Sequence, residues 1–149
     1  MIVRENEDYN SRLAYQLKIT PEIFYLDVQS GVKLVRYIEG AETLNNATIQ
    51  YMNHIEKVIM VLRTLHTSGV RFNNDFNVFK EIEIYEELLG RVKGWMYEGY
   101  SELRPSIFAL ADRLNQLGVT LTPCHNDLVA ENFVKGLDGK IHLIGSIVE

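Results

Sequence analysis

Residues 123–133 read Pro-Cys-His-Asn-Asp-Leu-Val-Ala-Glu-Asn-Phe and form a polar loop between apolar segments of the chain. Within this loop, His125, Asp127 and Asn132 have the spacing His-x-Asp-x-x-x-x-Asn. In a chain with 4 His, 6 Asp and 11 Asn, that spacing is expected by chance about 0.01 times. The loop is therefore the first candidate for a functional site.

The spacing of these three residues matches the catalytic loop of phosphotransferases. In that chemistry an aspartate accepts or orients the proton of the attacking hydroxyl, which predicts Asp127 as the base. An asparagine five residues later reaches back to a magnesium ion on the phosphates, which predicts Asn132 as a metal ligand. His125 is predicted to fix the loop rather than to react. The alternative is a polar turn between two strands, with His125 bonded to backbone groups.

The segments on both sides of the loop predict an α+β chain with two unequal parts. Asp138-Gly139 predicts a tight hairpin turn after the loop. Asn45 or Asn46 is the predicted N-cap of the second helix. In chain order the predicted elements are a helix over 4–17, strands over 23–26 and 32–38, helices over 47–67, 79–92 and 101–118, and strands over 119–122, 133–135 and 140–144.

The composition is that of an ordinary globular domain of 149 residues, with 46% hydrophobic and 23% charged residues. A net charge of −5 disfavours non-specific binding to nucleic acid. The sequence has neither an apolar run of the roughly 18–20 residues that a membrane helix needs nor a signal peptide. The single cysteine, Cys124, fits a reducing compartment, so we expect a cytoplasmic protein.

Residues 123–133, followed by Gly-Lys-Ile-His-Leu-Ile at 139–144, closely resemble the bacterial choline kinases. These belong to the choline/ethanolamine kinase and aminoglycoside phosphotransferase group, which has the protein-kinase-like fold. The resemblance extends back through residues 65–68, 36–40 and 5–10, and so covers nearly the whole chain. It implies that residues 1–40 are a remnant of the N-terminal lobe, with a helix, a hairpin and a hinge at 36–40. Residues 41–149 then form part of a mainly helical C-terminal lobe.

The resemblance also implies a nucleotide site. The backbone of Arg36, Tyr37, Ile38 and Glu39 corresponds to the hinge that binds adenine. Glu7 falls where the first helix of such kinases offers a glutamate to the ATP-binding lysine. Glu5 takes that place if the register is shifted, and a solvated helix charge is the alternative reading of Glu7.

This sequence departs from the family pattern at three places. It has neither the Gly-rich loop nor the ATP-binding lysine before the first helix. After the strand ending at Ile144, the family has a metal-binding aspartate, and this chain has Gly145. We hypothesise that a frameshift or truncation produced residues 145–149 and ended the chain. The expected protein is therefore a choline kinase truncated at both ends.

The resemblance implies an incomplete phosphotransferase whose ancestral reaction converts ATP and choline to phosphocholine. ATP and Mg²⁺ are the expected cofactors, choline or a similar amino alcohol is the expected substrate, and the chain alone is predicted to have little or no activity. The alternatives are an aminoglycoside, thiamine or homoserine kinase, or a non-catalytic nucleotide-binding or interaction module. Uncovered apolar helix faces predict a homo-oligomer. Trp95, Tyr97 and Tyr100 are a candidate ammonium cage, for which helix packing or an exposed hydrophobic patch is the favoured alternative.

Overall fold

The computed structural model describes residues 3–145 of the chain. Their contacts form two compact units. The first unit joins residues 3–75 to 122–145, and the second comprises 76–121. The predicted division into lobes at residue 40 stays a prediction.

The first unit contains both sheets and two of the helices. Its elements are α1 (Arg4–Gln16), β1 (Ile23–Leu26), β2 (Lys33–Val35), β3 (Glu42–Thr43), α2 (Met52–His66), a 3₁₀ turn (Ala130–Asn132), β4 (Phe133–Lys135) and β5 (Ile141–Leu143). One sheet is the antiparallel hairpin β1-β2, and the other has the antiparallel order β3-β4-β5. The last hairpin, β4-β5, was predicted from its turn residues.

The hairpin β1-β2 closes through the turn that follows β1. The Asp27 carboxylate accepts hydrogen bonds from the backbone N–H groups of Gln29 (3.0 Å) and Ser30 (3.3 Å). Gly31 then takes a φ of +80°, which glycine adopts without the steric cost of a side chain. β2 is shorter than predicted, because the chain leaves the sheet after Val35.

The core of the first unit forms between α1, α2 and the sheet β3-β4-β5. Phe133 and Leu143 lie opposite each other on β4 and β5, and both are at most 1% exposed. The backbone N–H of Leu44 donates to the carbonyl of Phe133 (2.9 Å) and so continues the pairing beyond β3. The buried apolar residues of this cluster are Ala14, Ile19, Leu44, Val58, Leu65, Phe72, Ala130, Phe133, Ile141 and Leu143. The loop 123–133 thus leads directly into the buried strand β4.

The helix predicted over 47–67 begins five residues later, at Met52. The Asn45 side chain accepts hydrogen bonds from the backbone N–H groups two and three residues further on (2.9 and 3.0 Å). It therefore closes a separate turn instead of capping α2, whose N-cap residue is Tyr51. The predicted N-cap at Asn45 or Asn46 is wrong for this reason.

The second unit consists of α3 (Val78–Arg91) and α4 (Tyr100–Gln116). Asn77 caps α3 by accepting from the N–H groups of Phe79 and Lys80. The predicted strand over 119–122 is absent from this stretch of the structure. The Val119 N–H instead donates to the Leu114 carbonyl (3.2 Å), so the chain wraps the end of α4. Across residues 3–145, none of the helices is long and apolar enough to cross a membrane.

Candidate active site

The predicted catalytic loop is closed by the side chain of Asn132. Its Nδ2 donates to the backbone carbonyl of Asp127 (2.7 Å) and to Asp127 Oδ2 (3.0 Å). The Asn132 backbone N–H donates to the Val129 carbonyl (3.1 Å) in the 3₁₀ turn. The Asp127 residue remains exposed. The structure therefore brings together the two residues that the spacing singled out, with one carboxylate oxygen fixed by an amide.

His125 anchors the loop to the end of β5. It is 4% exposed, and its Nε2 lies 2.8 Å from the carbonyl oxygen of Ile144. The Ile144 N–H in turn donates to the Asn132 carbonyl (2.8 Å). His125 Nδ1 is buried and has no hydrogen-bond partner within residues 3–145. A histidine held in this way positions the loop, as its predicted scaffold role requires.

Gly145 lies against both of these side chains. A Cβ placed on Gly145 would be 3.1 Å from His125 Nε2 and 3.7 Å from Asn132 Oδ1. The φ of Gly145 is +97°, a region that residues with side chains rarely adopt. Position 145 therefore borders the predicted metal ligand but supplies no carboxylate.

The residues around Asn132 do not fit a magnesium ion held by the protein. The carboxylate in contact with the Asn132 side chain is that of Asp127, and it already accepts a hydrogen bond from Asn132. Within the described part of the chain, no group of three or more His, Cys, Asp or Glu side chains could hold a metal ion. Mg²⁺ prefers octahedral oxygen ligands that include carboxylates. We therefore assign no chemical step to a metal ion.

The predicted hinge borders a cavity of about 730 Å³. Two hydrogen bonds to Glu22 fix Arg36. Its backbone N–H donates to the Glu22 carbonyl (2.7 Å), and its Nε donates to the Glu22 carboxylate (2.9 Å). The Glu39 carbonyl accepts from the Leu137 N–H (2.8 Å). Between these anchors, the N–H groups of Tyr37 and Ile38 have no partner among residues 3–145. These two hinge donors are thus free to bind a ligand.

The hinge cavity contains none of the catalytic-loop residues. Its walls include Lys140 and His142 from the hairpin β4-β5. Burial lowers the pKa of His142, which favours the neutral imidazole. The structure thus does not bring the predicted hinge and the predicted catalytic loop together in this cavity.

Glu7 has a lysine partner that the sequence analysis missed. Its Oε1 lies 3.1 Å from Nζ of Lys33, a residue of β2. Lys33 Nζ also donates to Ser11 Oγ (3.1 Å), while Glu5 is exposed. The only sequence signal was a lysine inside the apolar run 32–38, because a charged residue there must find a partner or face solvent.

The aromatic cluster proposed in the second unit does not form a cage there. Trp95 and Tyr97 are 87% and 88% exposed. The Tyr100 hydroxyl instead donates to Glu86 Oε1 (2.7 Å). Glu86 also pairs with Arg104, and these bonds lower its pKa to about 2, with Arg104 as the larger cause and Tyr100 as the second. Tyr100, Glu86 and Arg104 therefore form a polar network within this unit.

Comparison with known proteins gives this geometry a context. No family model matches the sequence. The chain is 37% identical to protein LicA of Haemophilus influenzae over 136 residues, which are 90% of the chain and 50% of that protein. It matches the crystal structure of choline kinase LicA from Streptococcus pneumoniae with a TM-score of 0.83 and 34% identity. The homologues of this chain include choline kinases.

The match to choline kinase LicA covers 99% of this chain and 52% of the Streptococcus pneumoniae protein. A crystal structure of LicA in complex with AMP matches with a TM-score of 0.81 and 34% identity, over 99% of this chain and 51% of that one. The chain thus spans about half the length of the choline kinases that it matches. The predicted resemblance to choline kinases and the predicted α+β, kinase-like fold are confirmed over that half.

Proposed function

We propose that the chain carries the adenine-nucleotide site and the catalytic loop of a choline kinase-like phosphotransferase. One observation carries this proposal. Asn132 reaches back five residues to fix the Asp127 carboxylate, while His125 ties the same loop to Ile144. This arrangement leaves one exposed carboxylate in a fixed position, as a base that accepts a hydroxyl proton requires.

In the proposed reaction, Asp127 accepts or orients the proton of the substrate hydroxyl that attacks the terminal phosphate of ATP. The free N–H groups of Tyr37 and Ile38 bind the adenine edge, and Arg36 and Glu39 hold the hinge through their own backbone bonds. Choline or a similar amino alcohol is the proposed substrate, because relatives of this chain are choline kinases. Aminoglycoside, thiamine and homoserine remain rival substrates.

A second function, nucleotide binding without catalysis, is favoured by Gly145. Position 145 lies beside Asn132 but has no side-chain oxygen to offer a metal ion. Asn132 stays a predicted Mg²⁺ ligand, with any ion brought in by the nucleotide phosphates. We therefore expect the chain to bind ATP and to transfer phosphate slowly or not at all.

The wider setting of the proposal follows from its chemistry. A kinase that uses ATP and a small amino alcohol fits a cytoplasmic location and needs no nucleic-acid partner.

The second unit exposes large apolar side chains on α3 and α4, among them Leu88 and Leu110. Such surfaces favour association, so a homo-oligomer is part of the proposal.

Isothermal titration of the 149-residue chain with ATP tests the proposal, and labelled ATP with choline then measures phosphate transfer. We expect measurable ATP binding. If transfer occurs, Asp127→Asn should reduce its rate by about 100-fold or more with little effect on ATP affinity. Asp112→Asn, a surface change on α4, is the matched control and should leave the rate unchanged.

The outcomes separate the two functions. ATP binding with transfer that depends on Asp127 supports the phosphotransferase. Binding with no transfer supports the nucleotide-binding module. A chain that binds neither ATP nor adenosine contradicts both.

A further inference from the structure

Three lysines line a cavity of about 430 Å³ in the first unit. Lys18 follows α1, Lys57 lies on α2, and Lys140 comes directly before β5. Among the described residues that line the cavity, Asp138 supplies the one carboxylate. Positive charge is therefore concentrated here, although the whole chain has a net charge of −5. A cleft in which one sign of charge prevails attracts ligands of the opposite sign.

Among residues 3–145, Lys57 is a half-buried cation without a counter-ion. Its Nζ donates to the Gly139 carbonyl (2.5 Å), which ties α2 to the turn between β4 and β5. A lysine ammonium has three donors, so two of them remain for other acceptors. Charged groups that are removed from water are normally paired, and the two remaining donors of Lys57 therefore favour an anion.

The carboxylate in the cavity wall does not neutralise Lys57, because it is bound to Lys140. Asp138 Oδ1 accepts from the Lys140 backbone N–H (3.0 Å), and Asp138 Oδ2 lies 3.0 Å from Lys140 Nζ. The backbone bond first, and then the side-chain bond, lower the pKa of Asp138. Lys18 forms no ion pair within the described residues, and its Nζ lies 4.5 Å from the centre of the Tyr15 ring. The excess positive charge is thus that of Lys18 and Lys57.

We propose that this cavity binds the phosphate group of a small molecule, with Lys57 as the main contact and Lys18 as the second. A phosphate ester carries a charge of about −1.5 to −2 at pH 7, which matches two unpaired lysines. Lysine binds phosphate as a point charge. A volume of about 430 Å³ is within the range of small-molecule sites, so the cavity has space for more than the phosphate group.

This site goes beyond the proposed ATP binding and does not depend on it. The cavity contains neither the hinge residues 36–39 nor any residue of the loop 123–133. It shares Lys18, Asp138 and Lys140 with the larger hinge cavity, whereas Lys57 lines the smaller cavity alone of the two. Lys57 is therefore the residue that tests the phosphate site separately from the nucleotide site.

The competing explanation gives both lysines structural roles. Lys57 then only ties α2 to the turn at Gly139. Lys18, which has a φ of +62° just after α1, then only complements the negative end of that helix. This explanation needs no anion, so it predicts that phosphate does not bind beside Lys57.

Lys135 provides a matched control. It is half-buried like Lys57, but its charge is already paired with Glu42 (2.8 Å). It also lies outside the cavity. Lys57→Met and Lys135→Met change the net charge of the chain equally. A general effect of net charge would therefore weaken phosphate binding in both variants, whereas a phosphate contact at Lys57 weakens it in one.

The experiment titrates the full chain, without nucleotide, with inorganic phosphate and with the ester glycerol 3-phosphate. Backbone amide shifts in nuclear magnetic resonance locate the site and give the dissociation constants. We expect saturable shifts at residues 17–19 and 138–141 with both ligands, and an ester that binds at least as tightly as phosphate. Lys57→Met should weaken binding by about tenfold or more, the scale of a lost charge-assisted hydrogen bond. Lys18→Met should weaken it by about threefold, and Lys135→Met by less than about twofold.

The results decide the inference without reference to ATP. It is wrong if about 10 mM phosphate leaves these amides unmoved, or if Lys57→Met binds phosphate as tightly as the unmodified chain. Equal weakening by Lys57→Met and Lys135→Met also contradicts it. Phosphate binding without ester binding would show that the assignment to a phosphorylated small molecule is wrong. Circular dichroism verifies folding, and Lys18→Met, which removes no hydrogen bond between described residues, carries the test if Lys57→Met is unfolded.

Discussion

The sheet that carries the catalytic loop and the helix pair α3-α4 are stabilised in different ways. In the first unit, Phe133, Leu44 and Leu143 are at most 1% exposed. In the second unit, neither helix contains a buried residue among those described. Its contacts include the Glu86–Arg104 ion pair and a ring contact between Phe79 and Phe108. The candidate site therefore rests on fully buried apolar packing, whereas the helix pair combines half-buried apolar contacts with polar bonds.

The largest loss of stability is expected when an aromatic ring is removed from the core of the first unit. Phe133→Ala should destabilise the first unit by about 3–5 kcal/mol, because it leaves a cavity under the catalytic loop. Phe108→Ala removes a half-buried ring from the second unit and should cost only about 1 kcal/mol. Urea unfolding followed by circular dichroism measures both. Equal losses would contradict the contrast between the two units.

A smaller effect is expected at two glycines with positive φ. Gly145 (φ +97°) is crowded by His125, whereas Gly118 (φ +67°), after α4, has open space where a Cβ would lie, with nothing within 4 Å. Gly118→Ala should cost about 1–2 kcal/mol from backbone strain alone. Gly145→Ala should cost about 1 kcal/mol more, since the His125 ring must also move. Thermal unfolding measures the loss of stability in both variants. Equal losses would show that the His125 ring moves aside without an energetic cost.

The smallest effect concerns the network of Glu86 in the second unit. Its pKa is lowered from 4.5 to about 2 by bonds from Arg104 and Tyr100. A carboxyl with a lowered pKa stabilises the fold above its unfolded pKa, and that contribution is lost as the pH falls through the folded pKa. Glu86→Gln should therefore lower the melting temperature at about pH 6, and its difference from the unmodified chain should vanish between about pH 4.5 and pH 2.

Glu87→Gln is the control for this network. Glu87 pairs with Arg91 along the same helix, but both side chains are largely exposed, at 67% and 68%. Such exposed pairs contribute little. A melting temperature that falls equally in both variants would show that the Glu86 network has no special role.

The catalytic loop and its hairpin could be predicted because their signals are local. The spacing of Asp127 and Asn132 within one loop is readable directly, and Asp138-Gly139 supplies a turn that needs no distant partner. α3 was predicted over 79–92 from the periodicity of its apolar residues, which is also a local signal, and the structure places it at Val78–Arg91.

The features that were missed depend on contacts between distant residues. The partner of Glu7 is Lys33, 26 residues further on, and only the pairing of α1 with the hairpin brings them together. The apolar periodicity of α2 places Ile55 and Ile59 on one face that Val58 and Leu65 widen. The structure buries Val58 and Leu65 but also His54. His54 Nδ1 lies 2.8 Å from the Thr48 carbonyl oxygen, and this hydrogen bond makes the burial of the imidazole possible. The periodicity of the sequence alone gives no sign of that hydrogen bond.

The pairing of β3 with β4 has a consequence for the order of folding. β3 ends at Thr43, and its partner strand begins at Phe133, so the Lys135–Glu42 ion pair spans 93 positions. Closing so long a loop costs entropy before any contact compensates for it, and such non-local pairings form late. During synthesis, α1, the first hairpin and α2 emerge well before β4 exists. The catalytic loop, which lies between the helices and β4, is therefore completed only near the end of folding.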